Sequence, residues 1–93
     1  MKIAILGAGI SGLSCASILA EKKFDVVVFE KENQIGGLCR SKVSSGYVFD
    51  MHGGHVFNSK YDYIKEWIFS KLGMDQWNHN VRNAKILYNG NLV

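Results

Sequence analysis

The sequence predicts an α/β fold that opens on a β-α-β crossover with parallel strands. Three observations predict it. A wholly apolar run, Ile3 to Leu6, stops at a glycine; apolar residues then recur at helical spacing from Ser11; a β-branched and aromatic run, Val26 to Phe29, follows. Two apolar strands flanking a helix within about 30 residues match the span of a right-handed parallel crossover.

Each element has its own reason. Ile3 to Leu6 has no polar alternation, as expected of a strand covered on both faces. Ser11 to about Lys22 reads as a helix, with Leu13, Ala16, Leu19 and Ala20 on one side and Glu21, Lys22 and Lys23 crowding its end. Val26 to Phe29 reads as a second buried strand. From Glu30 through Gly36-Gly37 the chain is loop-like. Ser44-Ser45-Gly46 is a turn signal, with a short strand, Tyr47-Val48-Phe49, after it. Tyr61, Ile64, Ile68 and Leu72 predict a helix over 61–72, with Gly73 as its stop. Lys85 to Tyr88 reads as a strand, Asn89-Gly90 as a tight turn, and Asn91-Leu92-Val93 as the start of a return strand.

The chain has 93 residues, 47% hydrophobic and 20% charged, which suits one small packed domain, 1–93, and excludes disorder. Its net charge of +3 comes from lysines scattered among acids, so no basic stripe points to nucleic acid. Cys15 and Cys39 are too few for a disulfide framework; Cys15 reads as helix packing and Cys39 as a loop residue. A reduced, cytoplasmic setting is the expectation. No apolar run approaches the length of a membrane span, and glycines interrupt the short apolar opening too early for a signal peptide.

The chemistry lies in Gly7-Ala8-Gly9-Ile10-Ser11-Gly12, a G-x-G-x-x-G between the first strand and the first helix. Gly7 permits the sharp turn, Gly9 lets backbone approach a pyrophosphate, and Gly12 clears the helix–sheet contact. The leading N–H groups, at Ile10 and Ser11 among others, and the positive end of the helix dipole favour phosphate. Glu30 lies 21 residues after Gly9, at the tip of the second strand. Its carboxylate suits the ribose hydroxyls of an adenosine and repels a 2′-phosphate, which disfavours NADP. This is the pattern of a Rossmann-like dinucleotide site, the alternative being a bare glycine turn. By itself it does not separate FAD from NAD.

The residues around and after Glu30 do separate them, by resemblance. Val28-Phe29-Glu30-Lys31 followed by Ile35-Gly36-Gly37-Leu38-Cys39-Arg40-Ser41 resembles the N-terminus of the group containing flavin amine oxidases, protoporphyrinogen oxidase, phytoene desaturase and UDP-galactopyranose mutase. The resemblance implies FAD, with Lys31, Gly36, Gly37, Leu38 and Arg40 joining Gly7, Gly9, Ile10, Ser11, Gly12 and Glu30 at the cofactor. Paired glycines permit a second close backbone approach. Tyr47-Val48-Phe49-Asp50 and His52-Gly53-Gly54-His55-Val56-Phe57 are similar to a stretch that lies beside the flavin ring in the mutases, which implies a flavin contact for His55. Two positions depart from the group's pattern: Asn58, where the mutases usually carry a histidine, and Lys23, where many relatives place a glycine.

Taken on their own, His52 reads as a loop histidine, Asp50 as a backbone-bonding turn residue, and Trp67 and Trp77 as packing residues. His52 and His55 lack the further ligands of a zinc site, so no metal is expected. The resemblance implies the FAD-binding front end of a much longer flavin-dependent oxidoreductase or mutase-like enzyme. A nucleotide-sugar or amine substrate is implied for the whole protein, and no catalysis by this chain alone. The alternatives are an NAD-dependent dehydrogenase domain and a non-catalytic nucleotide-binding or interaction module.

Overall fold

The computed structural model describes residues 1–93 and divides into two units, Met1–Phe57 and Asn58–Val93. The first unit begins with β1 (Lys2–Leu6), α1 (Ile10–Glu21) and β2 (Asp25–Phe29). β1 and β2 pair in parallel, from Lys2 opposite Asp25 to Leu6 opposite Phe29. The Gly7 N–H donates to the Phe29 carbonyl at 2.7 Å and carries the ladder one step past the strand. The crossover is therefore the one expected, with both strand ends in place and the strand starts and both helix ends one residue earlier.

α1 covers one face of this pair. Ile3 and Ile5 are half-buried, and they stand opposite Val26 and Val28, also half-buried. A methyl built on Gly12 of α1 would lie 3.4 Å from Cγ2 of Ile5, which identifies the face that meets the helix. The other face is open. Leu6 is 84% exposed, and Ala8, in the loop after β1, is the one fully buried apolar residue. The expectation of strands covered on both faces and of a packed core is thus corrected: two strands and one helix cover a single face. Cys15, expected to pack, is exposed on α1.

α1 ends where the Lys22 and Lys23 N–H groups bond the Ile18 and Ala20 carbonyls, and Lys23 then takes φ +66°. A left-handed residue at this place is the usual helix terminator, and here a side chain occupies it where glycine is the unstrained choice.

Beyond β2, a 3₁₀ turn (Gly37–Cys39) leads into an antiparallel hairpin of β3 (Ser41–Ser44) and β4 (Tyr47–Asp50), running from Ser41 opposite Asp50 to Ser44 opposite Tyr47. Its corner, Ser45 at φ +51° and Gly46 at φ +79°, has the two positive φ angles of a type I′ turn. The sequence indicated the turn and the second strand. Its partner, Ser41-Lys42-Val43-Ser44, has one apolar residue and becomes a strand only by pairing.

In the second unit, α2 (Asp62–Leu72) carries Asp62 in its first turn and Lys71 in its last, both favourable to the helix dipole. Gly73 ends it at φ +70°, its N–H bonded to the Phe69 carbonyl at 2.9 Å. A short 3₁₀ turn (Met74–Gln76) brings Trp77 edge-on to Phe69, with ring centroids 5.5 Å apart. A two-residue pair, β5 (Leu87–Tyr88) and β6 (Asn91–Leu92), turns at Asn89-Gly90, again with two positive φ angles. No helix is long and apolar enough to cross a membrane.

Candidate dinucleotide-binding site

The loop between β1 and α1 is built around its glycines. Gly7 adopts φ +103°, a region that other residues rarely enter. Gly9 is the N-cap of α1, and its carbonyl accepts the first helical hydrogen bond, from the Leu13 N–H at 2.9 Å. No side chain caps this helix end, and its first turn holds no acid. The N–H groups of Ile10, Ser11 and Gly12 precede the first intrahelical donor, so the dipole's positive end is left for a ligand. Gly12 has a steric reason as well: a methyl there would fall on the Gly7 carbonyl oxygen.

A second glycine loop lies against the first. The Gly36 N–H donates to the Ala8 carbonyl at 2.8 Å, and Gly9 and Gly36 form an isolated parallel bridge. A methyl on Gly37, at φ +57°, would come 3.0 Å from the Gly9 Cα. A methyl on Gly9 would meet only the Gly37 Cα, at an ordinary 3.7 Å. The two loops are therefore in close backbone contact, with Gly37 too near Gly9 for a side chain of its own.

Glu30 sits at the end of β2, beside the first of these loops. Its Oε2 accepts the Ala8 N–H at 2.7 Å, and its Oε1 accepts the Glu32 N–H at 3.0 Å. The Glu32 and Ala8 amides hold its carboxyl below the usual glutamate value, more than burial raises it, with smaller help from the Lys31 amide and the Arg40 charge. The acid is thus ionised at neutral pH. It braces the glycine loop, and each oxygen keeps lone-pair capacity for a ligand hydroxyl.

A cavity of about 760 Å³ opens beside it. Of the residues expected at a cofactor, Gly7, Glu30, Lys31, Gly37, Leu38 and Arg40 line it. Gly9 and Gly36 lie in the two glycine loops, Ile10, Ser11 and Gly12 lie in the first turn of α1, and neither these nor His55 are in its wall. Arg40 is oriented by its own turn, its Nε donating to the Gly37 carbonyl at 2.9 Å.

Five wall residues were not expected at a cofactor: Leu6, Phe29, Glu32, Gln34 and His52. His52, read as a plain loop histidine, lies with its Nε2 3.4 Å from an Arg40 guanidinium nitrogen. No local pattern marks it, because only the return of the β3–β4 hairpin brings it to Arg40. His55 is held elsewhere. Its Nδ1 is 3.1 Å from Asp50 Oδ1, its own N–H donates to Asp50 Oδ2 at 2.9 Å, and its Nε2 is 3.2 Å from the Leu38 carbonyl. Asp50 thus bonds backbone, as expected, but from the last position of β4 rather than from a turn, and it is a ring partner besides. The His55 amide, the Ser41 hydroxyl and the His55 ring together hold its carboxyl below the usual aspartate value, more than burial raises it. No group of three or more His, Cys, Asp or Glu side chains gathers as a metal site.

Known proteins bear on this geometry. The NAD(P)-binding Rossmann-like domain family matches residues 5–72. UDP-galactopyranose mutase of Mycoplasma pneumoniae is 33% identical over 79 residues, and that of Mycoplasma genitalium 36% over 81. A 4,4′-diapophytoene desaturase of Staphylococcus aureus is 43% identical over 51 residues. Among solved structures, a CLA-producing fatty acid isomerase from P. acnes superposes with a TM-score of 0.63 at 34% identity, over 75% of this chain. The chain spans 20% of the length of each mutase, 10% of the desaturase and 16% of the isomerase. These relatives bear out the resemblance to the flavin amine oxidase and mutase group, and with it FAD as the dinucleotide of that group. A sheet edge, a glycine loop at a helix start and an acid at the next strand's tip all lie within the matched residues, and this chain belongs to the NAD(P)-binding Rossmann-like domain family.

Proposed function

We propose that this chain is the FAD-binding front end of a flavin-dependent oxidoreductase or of a UDP-galactopyranose mutase-like enzyme. The observation that carries the reading is the contact between the two glycine loops, Gly36 N–H to Ala8 carbonyl at 2.8 Å, beside an uncapped helix end and an ionised Glu30. A lone glycine loop suits any dinucleotide; the second loop is the feature shared with the flavin group.

In this reading the amides of Ile10, Ser11 and Gly12 hold the pyrophosphate at the start of α1, with Gly7 and Gly9 allowing close approach. Glu30 accepts the adenosine ribose hydroxyls, and its charge rejects a 2′-phosphate. Lys31, Gly36, Gly37, Leu38 and Arg40 close the adenosine and diphosphate side, Arg40 supplying a positive charge to an anionic ligand. His55 lies toward the flavin ring. The bound flavin supplies the chemistry, as hydride acceptor in an oxidase or as nucleophile toward a sugar in a mutase. The chain's own groups bind and orient it. A nucleotide-sugar or amine substrate, catalysis that needs segments beyond these residues, and a cytoplasmic setting belong to the same proposal.

The test is a thermal melt with FAD and, separately, with NAD, together with the absorbance spectrum of the purified protein. A yellow protein, or a melt raised by FAD alone, supports the reading. A melt raised by NAD alone replaces it with a dehydrogenase domain.

A further inference from the structure

The Asp50–His55 pair does more than close its own loop. β4 ends at Asp50, and the chain returns five residues later so that His55 lies against that carboxylate through both its backbone N–H and its ring. The far side of the ring, Nε2, faces the Leu38 carbonyl at 3.2 Å. Leu38 is the middle residue of the 3₁₀ turn Gly37–Cys39, which carries the second glycine loop, and it lines the cavity. Each ring nitrogen thus faces an acceptor, the Asp50 carboxylate on one side and the Leu38 carbonyl on the other. The two side chains are 26% and 34% exposed, shielded enough for the geometry to be held.

The turn's own bonds are the Cys39 N–H to the Gly36 carbonyl at 3.0 Å, and the Arg40 N–H at 3.4 Å and Arg40 Nε at 2.9 Å to the Gly37 carbonyl; the Gly36 N–H ties its start to Ala8, and the Leu38 carbonyl is held by His55. The hairpin reaches only as far as the Arg40 carbonyl, which accepts the Met51 N–H at 2.9 Å.

We propose that Asp50 is a positioning residue for the second glycine loop: through the His55 ring it holds the Leu38 carbonyl, and with it the Gly36–Cys39 turn, against the first glycine loop. This rests on the reading of that turn as part of the FAD site. Asp50 touches no ligand in this scheme; it sets where the backbone of Gly36 and Gly37 stands.

The experiment compares wild type, Asp50→Asn, His55→Gln and the double variant in the full chain. Asp50→Asn keeps the shape and one acceptor oxygen, which protects folding. The first readout, without cofactor, is the NMR shifts and hydrogen exchange of the Leu38, Cys39 and Arg40 amides. The second is FAD affinity by fluorescence quenching. Both single variants are expected to shift those three amides, to speed exchange at Cys39 and Arg40 several-fold, and to weaken FAD roughly tenfold. The double variant is expected to be no worse than the worse single, because both act through one contact. Changes confined to residues 51–55, with Leu38 to Arg40 unmoved in either variant, overturn the proposal. Amides that move in the variants, beside a wild type that takes up no FAD, support the clip and count against the cofactor reading instead.

Discussion

Gly9→Ala separates a glycine that shapes the fold from one that makes room for a ligand. Gly9 has φ −78°, which alanine adopts freely, and its added methyl would meet only the Gly37 Cα, at 3.7 Å. Alanine is a poorer N-cap than glycine, a cost of about 0.5–1 kcal/mol. The stiffer unfolded chain returns about 0.4–1 kcal/mol. The two nearly cancel, so stability stays within about 0.5 kcal/mol, or roughly 4 °C in Tm for a domain of this size. In the proposed reading, however, Gly9 is where the pyrophosphate approaches the backbone, and the methyl takes that room. Overpacking a fitted site costs about 1–3 kcal/mol, so FAD affinity is expected to fall roughly 5- to 150-fold. Melts of the free protein and a fluorescence titration with FAD measure the two quantities independently. A melt lowered by 10 °C or so, with FAD affinity unchanged within about twofold, would refute the reasoning, because the glycine would then serve the turn alone.

Gly12→Ala should behave in the opposite way. Its methyl meets the Gly7 carbonyl oxygen, a backbone atom that cannot swing aside, and the gain in helix propensity of about 1 kcal/mol offsets only part of an overpacking cost near 3 kcal/mol. A Tm drop of roughly 8–16 °C without cofactor is expected by calorimetry. Glu30→Gln keeps the shape but turns an amide N–H₂ toward the Ala8 or Glu32 N–H, and FAD affinity should fall roughly tenfold by titration. Because the folded Glu30 carboxyl lies below its ordinary value of 4.5, its stabilising effect is complete above that pH and is lost as pH falls through the lower folded value. Melts of wild type and Glu30→Gln should therefore differ at pH 7 and converge in acid. Lys23→Gly removes a side chain from a φ of +66°, a strain of about 1–2 kcal/mol, at a cost in unfolded-chain entropy of about 0.4–1 kcal/mol. A Tm gain of a few degrees is expected; a loss would mean that the lysine stem packs on the helix end.

The β-α-β opening was legible because every signal for it is local. Apolar runs mark β1 and β2, glycines mark the turn, and Glu30 falls where the second strand must end. The helix over 61–72 and the Asn89-Gly90 turn were legible for the same reason. β3 was not, since Ser41-Lys42-Val43-Ser44 has no pattern of its own and is a strand only opposite Tyr47–Asp50. The extent of burial was missed too: an all-apolar strand states that it can be covered, while what covers it depends on neighbours.

At the site, residue types and spacing alone determined that a glycine loop opens the first helix and that an acid stands at the tip of the next strand. Those properties follow from backbone freedom at glycine and from strand length, which local sequence controls. Only the tertiary structure decided that the second glycine loop bonds to the first, that Glu30 braces Ala8, that His52 reaches Arg40, and that His55 is held between Asp50 and the Leu38 carbonyl. These contacts join residues distant in sequence, the first two beside the parallel β1–β2 pair and the last two through the β3–β4 hairpin, whose register sets the meeting point. Register is a property of paired strands, and so it could be read only from the folded chain.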